Sequence, residues 1–266
     1  MATSAPRFEQ RGFSIGTVIS RTFAVLADNP LATFGCALLF GAIPQVLYSY
    51  SIGSQLANAE PGSQLAIVVI SLGSMVVFLL LSMLVQGAVV RATTAFAEGG
   101  RASFAECLSV GLSAAVPLIG LTLLMALGLI AGFLLFFIPG VILLLMWAVA
   151  VPALVTERIG VFAAFSRSRA LTKGARWRIF GLYLLLFIVM WLFLILISLV
   201  LGIGGLTSGL AIQASQGTVP VTSLIVSGIL NTITIAFWGA AQANLYIALR
   251  DWKDGPQGES LAEVFA

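Results

Sequence analysis

The chain has 266 residues, 60% of them apolar and only 9% charged, with a mean hydropathy of +1.10. Soluble domains carry about a quarter charged residues, so this composition excludes a soluble globular protein and predicts one embedded in a bilayer. The net charge of +3 sits beside apolar stretches, which excludes the basic face of a nucleic-acid-binding domain.

At about 1.5 Å per residue, ~20 residues cross a ~30 Å hydrocarbon layer. Six apolar stretches qualify as spans, about 31–53, 65–90, 116–137, 140–156, 179–203 and 221–249. They predict an all-α, polytopic membrane helical bundle of six transmembrane helices with about three short interfacial amphipathic helices. The domain organisation follows: an interfacial segment 1–30, a six-span membrane domain 31–249 and a short tail 250–266.

Ahead of span one, Phe13, Ile15, Val18, Ile19, Phe23 and Leu26 recur at helical spacing, with Arg21 and Asp28 among the polar positions. That pattern is an amphipathic helix lying in the interface, ended by Asn29-Pro30. Span one is read as a retained helix: its apolar run is too long for a signal core, although Ala57-Asn58-Ala59 resembles a cleavage site. After span two, Ser103 and Glu106 have the spacing of a capping box, with Phe104, Leu108 and Leu112 four apart. This second short helix is expected to end at Pro117, where span three begins. Spans three and four are expected to meet in a tight hairpin at Phe137-Ile138-Pro139-Gly140, because Pro-Gly is a turn pair. A third short helix is predicted from Val161 to Leu171, with Phe162 and Phe165 on one side and Arg167 and Arg169 on another. Either the chain repeats one unit three times (surface helix, span out, span back) or membrane-surface helices simply resemble each other.

All thirteen basic residues fall on one side of this topology. Arg7, Arg11 and Arg21 precede span one, and Arg91 and Arg101 follow span two. Arg158, Arg167, Arg169, Lys173, Arg176 and Arg178 lie between spans four and five, and Arg250 and Lys253 follow span six. The far loops, 54–64 and 204–220, are rich in Gly, Ser, Gln and Thr, and Glu60 is their only charge. Basic residues near span ends stay in the cytoplasm, so both termini are expected there, in a multi-pass protein of the cytoplasmic membrane.

The sequence offers little for catalysis. Histidine is absent, and with it the commonest general base and metal ligand. No Asp, Glu, Lys or Arg lies in the central part of a span, whereas proton-coupled transporters and voltage sensors need ionisable groups at depth. No phosphate-binding loop, zinc spacing or nucleophile motif occurs. The expectation is no enzyme, no cofactor and no metal, with Cys36 and Cys107 as buried fillers.

Two sets of residues remain as candidates. The first is the segment 157–178, with Arg158, Arg167, Arg169, Lys173, Arg176 and Arg178 against one acid, Glu157. Juxtamembrane cations attract anionic headgroups at about 1 kcal/mol each, and Trp177 between two arginines fits an interfacial anchor. These seven residues are candidate contacts for anionic membrane lipids, or else only a topology signal. The second set is a polar bundle lining. It comprises Ser223, Ser227, Asn231 and Thr234 on one face of span six, Gln242 and Asn244 nearer its end, and Ser74, Ser82 and Gln86 in span two. Such side chains are interhelical glue at about 0.6–2 kcal/mol each, or they line a path for a headgroup or small solute. Gly128 and Gly132 form a G-x-x-x-G in span three that permits close helix approach.

Several motifs carry a family resemblance. They are Phe13-Ser14-Ile15-Gly16 leading to Asn29-Pro30, and Gly87-Ala88 leading to Arg91-Ala92-Thr93. Ser103-Phe104-Ala105-Glu106-Cys107-Leu108 and Phe137-Ile138-Pro139-Gly140-Val141-Ile142 follow, and then Ser166 to Gly174 with Arg176-Trp177-Arg178-Ile179-Phe180-Gly181. Together they resemble bacterial proteins related to the membrane domain of glycerophosphodiester phosphodiesterases, over nearly the whole chain. The resemblance implies a six-span bacterial inner-membrane module. It carries no hydrolysis over, because the soluble catalytic barrel with its histidines and metal-binding carboxylates is missing here. The leading expectation is a non-catalytic membrane module that organises lipid or a partner protein at the cytoplasmic face. The alternative is a carrier or flippase-like protein using the polar faces of spans two and six.

Overall fold

The computed structural model describes residues 14–57, 64–200 and 221–255. Among these, every regular element is a helix: α1 (Ile15–Asp28), α2 (Pro30–Ala37), a π-helical turn (Leu38–Ala42), α3 (Ile43–Ala57), α4 (Gln64–Ala97) and α5 (Phe104–Leu135). There follow α6 (Phe137–Met146), α7 (Ala150–Glu157), α8 (Val161–Thr172), α9 (Arg176–Val200) and α10 (Val221–Asp254). Five helical segments are long and apolar enough to cross a membrane: Pro30–Ser51, Phe104–Leu135, Phe137–Glu157, Arg176–Ile197 and Leu224–Asp254. The stretch expected as span two lies within the single 34-residue helix α4. The molecule is a multi-pass membrane helical bundle.

Span one does not run as one regular helix. Pro44 has no N–H to give the Phe40 carbonyl, and the backbone widens into the π-helical turn just ahead of it, with the Ile43 N–H reaching back to the Leu38 carbonyl. α1 is the discrete amphipathic helix expected, burying Val18, Thr22 and Val25 at spacings of four and three. Its buried face joins the main core with Ile179 and Leu182 of α9 and Leu245 and Tyr246 of α10.

Three expectations are corrected. The second short helix does not end at Pro117; α5 runs unbroken through it for 32 residues. A proline removes one hydrogen bond but does not end a helix whose neighbours hold it in place. Ser103 does cap this helix, accepting from the Glu106 N–H at 3.2 Å, whereas the Glu106 carboxylate takes Arg91 instead (2.6 Å). The reversal between spans three and four is not at Pro139-Gly140 but at Phe136 alone, in extended backbone (φ −163°, ψ 154°). Pro139 sits in the first turn of α6, where no N–H is needed, and Gly140 is where Phe133 presses against the backbone, 2.5 Å from a would-be Cβ. Span four itself is broken at Trp147-Ala148-Val149 into α6 and α7, which no sequence signal announced.

Gly128 and Gly132 face span four. A Cβ on Gly128 would lie 2.4 Å from Trp147, and one on Gly132 2.8 Å from Leu143. The G-x-x-x-G therefore seats neighbouring side chains of the same molecule. Cys36 and Cys107 are both fully buried, in one cluster with Ala32, Ala88 and Ala92.

The charged segments gather at one end of the bundle, tied by polar contacts. Asp28 pairs with Arg101 at 2.6 Å, and Asn29 donates to the Ala102 carbonyl at 2.9 Å. Arg91 holds Glu106, with Glu98 at 3.5 Å. Arg167 holds Glu157 at 2.7 Å and also Asp254. These bonds join the end of α1, the α4–α5 connection, the end of α7, α8 and the end of α10. Arg250 and Lys253 ride on α10 itself, which continues to Asp254 past the expected tail boundary.

Candidate functional site

The basic segment folds as α8, a short turn and the start of α9. α8 is fastened beneath the break in span four. Ser168 Oγ donates to the Met146 carbonyl (2.8 Å) and accepts from the Val149 N–H (3.3 Å). Thr172 Oγ1 donates to the Ser168 carbonyl at 2.9 Å, with the Met146 carbonyl 3.4 Å away, and the Tyr183 hydroxyl donates to the Ala148 carbonyl (3.2 Å). The backbone groups freed by the break thus find partners. Ala164, Ser168, Leu171 and Thr172 are the buried face of α8, and the arginines point away from it.

The six cations then divide. Arg167 is neutralised: the hydrogen bonds it donates to Asp254 first, then to Glu157, raise its already high proton affinity. Glu157 also accepts from the Tyr246 hydroxyl at 2.8 Å, so these four residues form a structural clasp. Arg169, Lys173 and Arg176 line one cleft of 380 Å³ together with Gly174 and Trp177. None of the three pairs with an acid among the described residues. The buried Nε of Arg176 has no acceptor there either. Gly174 makes the turn at φ 87°, a conformation open to glycine at little cost. α9 begins at Arg176 with no acid in its first turn, so the partial positive charge of the helix start adds to the cleft. Trp177 is 86% exposed, and Phe162 on α8 is 78% exposed; both suit the headgroup level of a bilayer. Arg178 is exposed outside the cleft. Arg158 lies apart from it at the end of α7, in a second crevice.

The polar bundle set behaves differently. Asn231 Nδ2 donates to Gln45 Oε1 at 2.7 Å, tying α10 to α3. Ser227, Thr234 and Asn244 donate to carbonyls of their own helix, Leu224, Leu230 and Ala240. Gln242 lies at the Tyr183 hydroxyl, and Gln86 is half-buried. The side chains of Ser74, Ser82 and Ser223 lie outside the described residues. Where α4 and α10 meet, the seam is apolar and tight, built from Val85, Val89, Ala236 and Ala240. A Cβ on Gly239 would lie 2.9 Å from Val89. The Asn231–Gln45 bond and the α4–α10 seam are helix–helix joints, whereas Ser227, Thr234 and Asn244 bond within α10.

Sequence reasoning missed Ser168, Thr172 and Tyr183 as the groups that close the broken span. Ser168 and Thr172 stand four apart opposite the arginines, the one local signal for them. No protein family, curated protein or solved structure matches the chain.

Proposed function

We propose that this chain is a non-catalytic module of the bacterial cytoplasmic membrane whose charged end faces the cytoplasm and holds anionic lipid headgroups. The observation carrying this reading is the cleft of Arg169, Lys173 and Arg176: three cations that, among the described residues, have no carboxylate partner, one of them with a buried nitrogen that no described group accepts from, beside an exposed Trp177. A cation placed only to set topology has no need to converge with others. Phosphate oxygens supply the missing acceptors, and the anionic leaflet lies on the side where basic residues collect. The joints made by Asn231 and the apolar α4–α10 seam support packing over a carrier's polar path.

Native mass spectrometry of the full chain with phosphatidylglycerol against phosphatidylcholine tests it. Glutamine at Arg169, Lys173 and Arg176 together is expected to lower retention of the anionic lipid about tenfold or more, since each headgroup cation contributes ~1 kcal/mol. Unchanged retention would reduce the segment to a topology signal.

A further inference from the structure

We infer that a crevice between α5 and α7 is a separate site, selective for an anionic glycerophospholipid with a hydroxyl-bearing headgroup. The inference rests on the reading that this end of the bundle meets an anionic leaflet.

The crevice has a volume of 520 Å³ and is lined by Ser109, Ser113 and Pro117 of α5 and by Leu154, Arg158 and Ile159 at the end of α7. Its one cation, Arg158, is exposed and has no acidic partner among the described residues. Glu106, on the same face of α5, is neutralised by Arg91 at 2.6 Å. The other polar groups are acceptors. Ser109 Oγ already donates to the Glu106 carbonyl (2.8 Å), and Ser113 Oγ to the Val110 carbonyl (3.0 Å), so both oxygens have lone pairs left to offer. Pro117 has no N–H for the Ser113 carbonyl, which leaves that group without its usual helical donor.

A fitting ligand brings a negative charge to Arg158 and neutral hydrogen-bond donors to the serines. A phosphate joined to a polyol does both, whereas the uncompensated guanidinium repels an ammonium headgroup. Leu154 and Ile159 form apolar wall, and Leu112 and Val116 on the adjoining face of α5 are 56% and 78% exposed, ready for acyl chains. Arg158 also holds a left-handed conformation (φ 51°, ψ 38°) that glycine adopts more readily. A strained residue of this kind persists where its surroundings hold it, often at a ligand site.

The test is native mass spectrometry of the full chain with phosphatidylglycerol, phosphatidylethanolamine and free glycerol 3-phosphate. Expected is a preference of about tenfold for phosphatidylglycerol over phosphatidylethanolamine, the size of one charge-assisted hydrogen bond, with no retention of free glycerol phosphate. Arg158→Gly, which suits the backbone and so keeps the fold, abolishes the preference, and Arg158→Lys keeps part of it. Ala114→Leu, at a residue that also lines the crevice, abolishes it with the cation in place. The triple glutamine variant at Arg169, Lys173 and Arg176 loses total lipid but keeps the preference. Equal retention of the two lipids by the wild type, or a preference that survives Arg158→Gly, overturns the site while leaving the basic cleft untouched. Binding of glycerol phosphate alone overturns a lipid as the occupant. If the wild type retains no anionic lipid at all, the underlying reading fails with it.

Discussion

Replacing Ser168 with alanine tests whether α8 holds the broken span together. Ser168 and Val149 are both fully buried, and the hydroxyl makes one bond in each direction, to the Met146 carbonyl and from the Val149 N–H. Alanine leaves the N–H with no acceptor, while the carbonyl keeps only Thr172 at 3.4 Å. A buried backbone group left unpaired costs about 1–3 kcal/mol. Hydrogen bonds measured within membrane bundles average ~0.6 kcal/mol, because the unfolded chain also finds partners. Here the orphaned groups are main-chain atoms that cannot turn away, so Ser168→Ala is expected to cost about 1–3 kcal/mol. Thr172→Ala added to it costs more than the sum of the two, since Met146 then loses both donors. Reversible unfolding in mixed micelles measures this, with Ser166→Ala, at an exposed position of α8, as the control. If Ser168→Ala and Ser166→Ala are equally stable, the break supports itself and α8 is not its fastener.

Other positions are as open to measurement. Gly87→Ala places a Cβ 2.9 Å from the Gly111 Cα; backbone cannot swing aside, so the α4–α5 crossing opens at about 1–3 kcal/mol. Gly73→Ala, with nothing within 4 Å, is neutral or stabilising by the same unfolding assay. A double-mutant cycle on Asn231 and Gln45 is expected to give a coupling of about 0.6–2 kcal/mol; zero coupling would remove this joint. The hydrogen bond from Arg101 first, and its charge second, hold Asp28 below the usual aspartate value of 3.8. A depressed acid contributes stability above its unfolded value, and the contribution is lost as pH falls through the folded one. The protection factor at the end of α1, with the intrinsic pH dependence of exchange divided out, should therefore decrease below pH 3.8, and Asp28→Asn should remove that dependence.

The multi-span helical character and the gathering of charge at one end were legible because both are long-range, redundant signals. Twenty-odd apolar residues override local detail, and the basic segments among the described residues gather at one end of the bundle. Local punctuation was less faithful. Pro117 and Pro139 resemble stops, yet each lacks only one N–H, which costs little in a first turn and is borne by neighbours in mid-helix. The break at Trp147-Ala148-Val149 contains no glycine or proline, and its partners lie about 20 to 35 residues downstream in Ser168, Thr172 and Tyr183. No window along the chain joins them. The basic segment stood out by composition, but only the fold separates its clasp, Arg167, from its cleft, Arg169, Lys173 and Arg176, and from Arg158 in a second crevice.

Lipid capture by the basic cleft requires the charged end to face the anionic cytoplasmic leaflet. Single cysteines introduced at Asn58, Gln213 and Ser166, with Cys36 and Cys107 replaced by alanine, can be probed with a membrane-impermeant maleimide on intact cells. Labelling at 58 and 213 from outside, with 166 reacting only after permeabilisation, is the predicted result. Labelling of position 166 in intact cells would put the arginine-bearing surface away from the anionic cytoplasmic leaflet and contradict the account.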